Sequence, residues 1–389
     1  MTLPDLSTDA ARSALLGVEG VVPGQEQETY ARILWNVIAE PGDGTAGALI
    51  AALGPVEALR VAAETAEDEW AAARARWAPR LRADTARSAL DGARRSGARL
   101  VVPGDPAWPS RVDDLGVHAP VALWMRGRVE DQSAPSVAIV GARAATPYGE
   151  GVTADLAAEL GASGVTVVSG AAYGIDGAAH RAALSAGTRT VAFLAGGVDR
   201  AYPRGHEGLL DRIAATGAVW SETPCGSRPT KWRFLSRNRL IAAMADVVVV
   251  VEAGWRSGSL NTAAHAATLG RELGAVPGPI TSAASAGCHR ILREYGGVCV
   301  TSAKDVLEMI DCSPAAEAEA DAVDHRGEGR TDDTTRVLDA LSPRAARDAE
   351  EVARRSGLST AQVQTHLGLA ALEGRAVRDD DGGWRAAPR

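Results

Sequence analysis

Between Gly226 and Arg239 the sequence sets five basic side chains, Arg228, Lys231, Arg233, Arg237 and Arg239, with no acid among them. Two rings, Trp232 and Phe234, stand between the cations. A single strand of nucleic acid requires this mixture. Positive charge follows the phosphate backbone, and each unpaired base that stacks on a ring contributes roughly 1–3 kcal/mol. The whole chain carries a formal net charge of −8, so a local cationic run is not a by-product of composition. The same run admits a second reading, a solvated loop whose arginines pair with Glu222 or Glu252 while Trp232 and Phe234 pack into a core.

Other turns point the same way. The string GAR brings Gly141 and Arg143, SGAAYGID brings Ser169, Gly170 and Asp176, and EAGWRSGSLNTAAH brings Ser257, Gly258 and Ser259. Each follows an apolar run of strand type. Glycine and hydroxyl turns let backbone N–H groups and helix N-termini approach an anion. One such turn is explained by the use of glycine in tight connections. Several on one edge point to a phosphate-bearing ligand.

Catalytic readings are poorly supported. Lysine occurs only at Lys231 and Lys304, preceded by Thr230 and Ala303, so no Gly-Lys-Ser/Thr phosphate loop exists. There is no H-E-x-x-H and no G-x-S-x-G string, and no G-x-G-x-x-G after the first strand. Cys225, Cys288, Cys299 and Cys312 form no C-x-x-C pair. Asp176 and His180, four apart on one helix face, read as a helix cap and a packing residue. Asp199 reads as turn chemistry. The expectation is no catalytic residue, no metal and no cofactor.

The elements that must position these turns follow from pattern. The 389 residues are 46% hydrophobic and 23% charged, ordinary for a globular chain of two or three domains. No apolar run reaches the length of a membrane span without a charge or a breaker, and the N-terminus lacks a basic patch followed by an apolar stretch. A cytoplasmic protein with no membrane partner is the expectation. Residues 1–97 read as a small helical, SAM-like module, with a long helix from about Thr65 to Ser96. Residues 98–312 alternate strand and helix, with SVAIVGAR, VTVVSG, TRTVAFLAG, AVWSE, DVVVVVEA and ELGAVPG as strands. Continuous β-branched runs between helices predict an α/β fold, an extended Rossmann-like, doubly wound, mostly parallel sheet. Residues 313–333 form an acidic linker. Residues 334–389 read as a winged helix, with Ser359 as N-cap of its recognition helix, Thr360 to Glu373. That helix is poor in positive charge, which favours a protein-interaction module over a sequence reader.

Taken in order, VAIVGAR, SGAAYGIDGAAH, GGVDRAYP, SETPCG, RNRLIA, VVVVVEA, SGSLNTA, VPG and GCH resemble the pattern of the DNA-processing protein A family, also called DprA or Smf. The resemblance covers about residues 98–310. It implies a protein that binds and protects single-stranded DNA, loads RecA recombinase during transformation, forms a homodimer and is not an enzyme. Single-strand-binding protein is a further implied partner. The residues it implies at the DNA are Arg143, Ser169, Gly170, Gly226, Lys231, Phe234, Arg237, Asn238, Arg239, Ser257, Gly258 and Ser259. Arg143 would hold a phosphate, Gly226, Lys231 and Phe234 would form the groove, and Arg237 and Arg239 would line it. The chain departs from the pattern at His206 and His289, where asparagine is usual, at Asn261, and in FLSRNR, where a proline commonly follows the phenylalanine.

Two other classes compete. Phosphoribohydrolases of the same Rossmann-like superfamily cleave nucleotides with a glutamate in a PGGxGTxxE turn. Here the comparable RSGSLNTAAH carries Ala264 where the carboxylate would stand, which removes the obvious general acid/base. A transcription factor would need a more basic recognition helix.

Overall fold

The structure is a computed structural model and describes residues 4–64, 68–81, 83–128, 134–312, 332–379 and 382–387. Five helices open the chain: α1 (Thr8–Leu15), α2 (Glu26–Ile38), α3 (Gly44–Ala63), α4 (Ala71–Trp77) and α5 (Ala83–Ser96). Two strands follow, β1 (Arg99–Val101) and β2 (Leu123–Gly127). Then comes strict alternation: β3 (Ser136–Val140), α6 (Pro147–Ala162), β4 (Thr166–Ser169), α7 (Ile175–Ser185), β5 (Thr190–Leu194), α8 (Glu207–Thr216), β6 (Ala218–Ser221), α9 (Lys231–Ala243), β7 (Val247–Val250), α10 (Ser259–Thr268), β8 (Glu272–Ala275), α11 (Ala286–Glu294), β9 (Val298–Cys299) and α12 (Ala303–Cys312).

All nine strands form one sheet in the order β1-β2-β6-β5-β4-β3-β7-β8-β9. From β6 to β9 every pairing is parallel, while β2 runs antiparallel to β6 and β1 to β2. The fold is therefore the mostly parallel α/β sheet that the β-branched runs predict. Strands such as SVAIV and VVVV are buried along their whole length because helices cover both faces. One face packs Phe193, Leu240 and Ile241 among its core residues, the other Ile139, Leu156 and Val249. The chain order reverses between β3 and β7, so a crevice opens there outside the carboxyl ends of the strands.

The amino-terminal helices are not a separate body. Their core, built on Leu34, Trp35, Leu59 and Trp77, runs on without a break into Leu194, Val198 and Val219 beside the sheet. Trp35 and Trp77 meet edge to face with centroids 4.9 Å apart. Asn36 joins the layers by donating to the Glu222 carbonyl at 2.6 Å and accepting from Trp124 Nε1 at 2.9 Å. The continuous helix expected from Thr65 to Ser96 is a correction: α4 and α5 are separate, divided by the 3-10 turn Ala78–Arg80. Pro79 explains the break, since its ring has no N–H to continue an α-helix. Among the described residues one helix, α3, is long and apolar enough to cross a membrane. It is broken at Gly54 (φ 75°) before Pro55 and buries Leu49, Ile50 and Leu59 in the core.

Beyond the sheet lie α13 (Asp333–Ala340), α14 (Ala349–Ser356), α15 (Thr360–Leu372) and the hairpin β10 (Ala376–Arg378) with β11 (Trp384–Ala386). This is a winged helix around its own core of Val337, Val352 and Leu367. Ser359 caps α15 in a full capping box with Gln362. Apart from residues 332 and 333, the acidic linker lies outside the described residues.

His180 of α7 is fully buried, and its Nδ1 lies 2.6 Å from Thr190 Oγ1. Burial pulls its imidazole down to about 3. In the unfolded chain the same group takes up a proton near pH 6.5. Its contribution to stability is therefore intact above that pH and lost as the pH falls, at about 1.4 kcal/mol per pH unit. Thermal unfolding of the full chain should show melting falling from about pH 6.5 downward, and His180→Gln should flatten that slope. An unchanged slope in the variant would contradict a buried neutral imidazole.

Candidate single-strand nucleic-acid interface

The site is assembled around α9. Thr230 caps the helix, its side chain accepting from the Arg233 N–H. The helix therefore begins at Lys231, and most of the basic run is helical rather than loop. Nearly two turns on, Arg237 turns inward where β4 and β5 end. Its Nη1 donates to the Gly170 carbonyl at 2.8 Å and the Phe193 carbonyl at 2.5 Å. A Cβ on Gly170 would collide with this guanidinium, which is why glycine stands there. Burial brings Arg237 down to about 10, against the pull of the Asp176 carboxylate, so it remains charged at neutral pH. Burial likewise pushes the Asp176 carboxyl up, with Arg237 opposing. Ala171, the next residue, holds φ 52°, a left-handed conformation that costs an ordinary side chain of order 1–3 kcal/mol. His206 Nδ1 meets the Ala171 carbonyl at 3.0 Å, so the histidine in the position of the usual asparagine braces this strained turn.

On the solvent side of that brace sits a cation and ring cluster. The exposed Arg143 guanidinium lies over the Phe234 ring, 4.5 Å from its centroid. Tyr202, exposed after β5, tilts against Phe234 at 5.4 Å. Lys231 and Arg228 are exposed nearby on the same segment. Gly226, at φ 86°, is exposed and donates its N–H to Asp199 Oδ1 at 2.8 Å. Tyr173, exposed on the turn after β4, stands edge to face with His206 at 4.8 Å. Across the crevice, Asn238 Nδ2 donates to the Gly258 carbonyl at 3.2 Å and to Asn261 Oδ1 at 3.3 Å. The Ser257 and Ser259 hydroxyls lie 2.8 Å apart, with Gly258 exposed between them.

The twelve candidates thus separate into two groups. Arg143, Gly226, Lys231, Phe234, Ser257 and Gly258 reach solvent on the carboxyl edge of the sheet. Ser169, Gly170, Arg237, Asn238, Arg239 and Ser259 are buried. Ser169 spends its hydroxyl on the Ile139 carbonyl at 2.6 Å. Arg239 donates from Nη2 to Oε1 of buried Glu222 at 2.8 Å and to the His118 carbonyl at 3.0 Å, and its Nη1 lies 2.7 Å from Glu222 Oε2 as an ion pair. That corrects the placing of Arg237 and Arg239 along the groove: both are internal struts, because buried carbonyls and a buried carboxylate demand donors. Arg233 is likewise taken by Glu40, at 3.2 Å, which also accepts from Arg80 at 3.3 Å. The sequence suggests Glu252 as a partner for these arginines; it instead accepts from Thr146 N–H at 2.9 Å and Thr146 Oγ1 at 2.6 Å. Trp232 is core. Its ring is buried between Arg233 and Arg336 of the winged helix, whose guanidinium lies 4.6 Å from the centroid. Sequence reasoning missed Tyr173 and Tyr202. An exposed tyrosine beside the glycine turns, in AAYGID and RAYPRG, was the available signal.

A mostly parallel sheet that gathers glycine turns and a guanidinium-covered ring at its carboxyl edge defines a Rossmann-like domain. The chain belongs to the DNA recombination-mediator protein A family, whose model matches residues 99–311. A DprA winged helix domain matches residues 313–382. A protein designated DNA processing protein DprA in Mycobacterium tuberculosis H37Rv is 44% identical over 90% of this chain and 92% of its own length. The X-ray structure of DNA processing protein A from Streptococcus pneumoniae superposes with a TM-score of 0.60 at 29% identity, covering 72% of this chain and 97% of that one. DNA processing protein A from Helicobacter pylori, described for its unique single-stranded DNA binding mode, superposes with a TM-score of 0.50 at 29% identity over 55% of this chain and 96% of that one.

The two groups should part on mutation. Arg237→Ala and Arg239→Ala each strand buried polar partners and should cost about 3–5 kcal/mol in denaturant unfolding. Arg143→Ala removes a solvent-facing cation and should stay within about 0.5 kcal/mol. A stable Arg239→Ala would contradict the strut assignment.

Proposed function

We propose that this chain binds single-stranded DNA along the carboxyl edge of its sheet, protects it, and hands it to RecA without turning over a substrate. The observation that carries the reading is Arg143 stacked on Phe234, with Tyr202 against the same ring and exposed Lys231 one helical turn before it on α9. A ring backed by a cation offers a face to a base and a charge to its phosphate, and it does so for any base. The exposed turns at Gly226 and Gly258, which face open space, allow backbone to come close to that phosphate. The Helicobacter pylori relative, described for single-stranded DNA binding, supports the same ligand class.

The competing nucleotide-cleaving reading has less to stand on. Ala264 occupies the position that a ribohydrolase would give to a carboxylate. Asp176 and His180 are buried in the fold, and among the described residues no group of three or more His, Cys, Asp or Glu side chains could hold a metal ion. Loading then rests on binding energy. A homodimer, which the family resemblance implies, would join two sites and hold one strand at high effective concentration while RecA nucleates. The setting for this is the cytoplasm, on strands already coated with single-strand-binding protein.

With Arg143, Arg228 and Lys231 as the exposed cations of the cluster, log K for oligo-dT should fall with log salt at a slope of about −2, near −0.7 per phosphate contact. Phe234→Ala should weaken binding by about 1–3 kcal/mol if the ring stacks on a base. A flat salt response would remove the electrostatic groove. RecA strand exchange on precoated strands, run beside nucleoside-monophosphate cleavage, tests the rest. Stimulated exchange with no cleavage is the expected result, and robust cleavage would favour the enzyme.

A further inference from the structure

The Phe234 cluster accounts for one end of the carboxyl edge. At the other side of the β3/β7 crevice stands a second ring. Trp255, on the turn after β7, is 56% exposed. A tryptophan so exposed gives up most of the burial that its large apolar surface would otherwise bring. The turn that carries it is firmly held. Ser257 N–H donates to the Gly254 carbonyl at 3.0 Å, Ala253 N–H to the Ala284 carbonyl at 2.8 Å, and Gly287 N–H to the Ala253 carbonyl at 2.7 Å. From the crevice side, Asn238 grips the Gly258 carbonyl. The Arg290 guanidinium of α11 lies 5.5 Å from the Trp255 ring centroid and is itself anchored by Glu294 at 2.6 Å. Arg256, next in sequence, is exposed.

This parallels the arrangement at half-buried Phe234, a ring with a guanidinium against it and a cation on the same segment, except that Trp255 is the more exposed ring. Neighbouring strands lie roughly 4.8 Å apart, so the turns after β5, β4, β3 and β7 span about 14 Å of one edge. Tyr202, Tyr173, Arg143 and Trp255 stand on those turns in that order. We propose that Trp255 is a second base-stacking platform, which with Arg256 extends the binding track across the crevice and lengthens the footprint on single-stranded DNA. The proposal rests on the single-strand reading above and adds the residue that sets the length of strand engaged.

Fluorescence anisotropy of the full chain with oligo-dT of about four and about sixteen nucleotides tests it, these lengths spanning known single-strand site sizes. Trp255→Ala should leave the short oligonucleotide bound as in the unaltered protein. It should weaken the long one by roughly five- to a hundred-fold, the range for losing one stacked base. Trp255→Phe, which keeps a ring, should restore most of the loss. Wild-type affinity of Trp255→Ala for both lengths would overturn the proposal. Equal loss at both lengths would overturn it too, since the ring would then act through the fold. A changed sedimentation coefficient with unchanged affinity would assign Trp255 to contact with a second copy of the chain instead. If the unaltered protein binds neither length, the parent reading fails, and this one with it.

Discussion

Arg237 is the constraint on which the site depends. Its buried guanidinium ties α9 to the ends of β4 and β5 through the carbonyls of Gly170 and Phe193. A charge inside a protein is tolerated only when it is paired and fully hydrogen-bonded. The two carbonyls and Asn238 Oδ1, which accepts from Nε at 3.2 Å, satisfy its hydrogen bonding, and the Asp176 carboxylate supplies the opposing charge. Several consequences follow from the one group. Position 170 must be glycine. The turn beyond it holds a left-handed residue at Ala171, braced by His206. The first turn of α9 is held with Phe234 facing outward under Arg143.

The two remaining buried residues of the same motif extend this scaffold. Asn238 reaches the turn after β7, and Arg239 reaches Glu222 at the end of β6. Three consecutive residues thus tie together the ends of four strands. The exposed groups of the candidate site, Arg143 and Lys231, stand outside this buried network on the elements that it holds in place.

Much of this was legible in the sequence. The β-branched runs predict the strands because a buried parallel strand must be apolar on both faces, and the glycine turns predict their carboxyl edge. The location of the site followed from that. The roles within the basic run did not. Helical spacing after the Thr230 cap sends Arg237 and Arg239 inward and leaves Lys231 at the exposed start, and a lone threonine between proline and lysine does not announce a cap. Glu40 is almost two hundred residues from Arg233, so nothing local announces the pair. Trp232 was open between core and stacking. Only the position of Arg336, across the linker, decides for core. The same contact shows that the winged helix packs on α9, the helix that begins the candidate groove.

Hydrogen–deuterium exchange on the full chain, with and without oligo-dT, addresses the central claim most directly, because it locates the strand without altering a residue. The account predicts slowed exchange in the turns at residues 141–145, 170–174 and 226–234, at one edge of the sheet. Slowed exchange confined to α15 and the β10–β11 wing, with those turns unchanged, would contradict it.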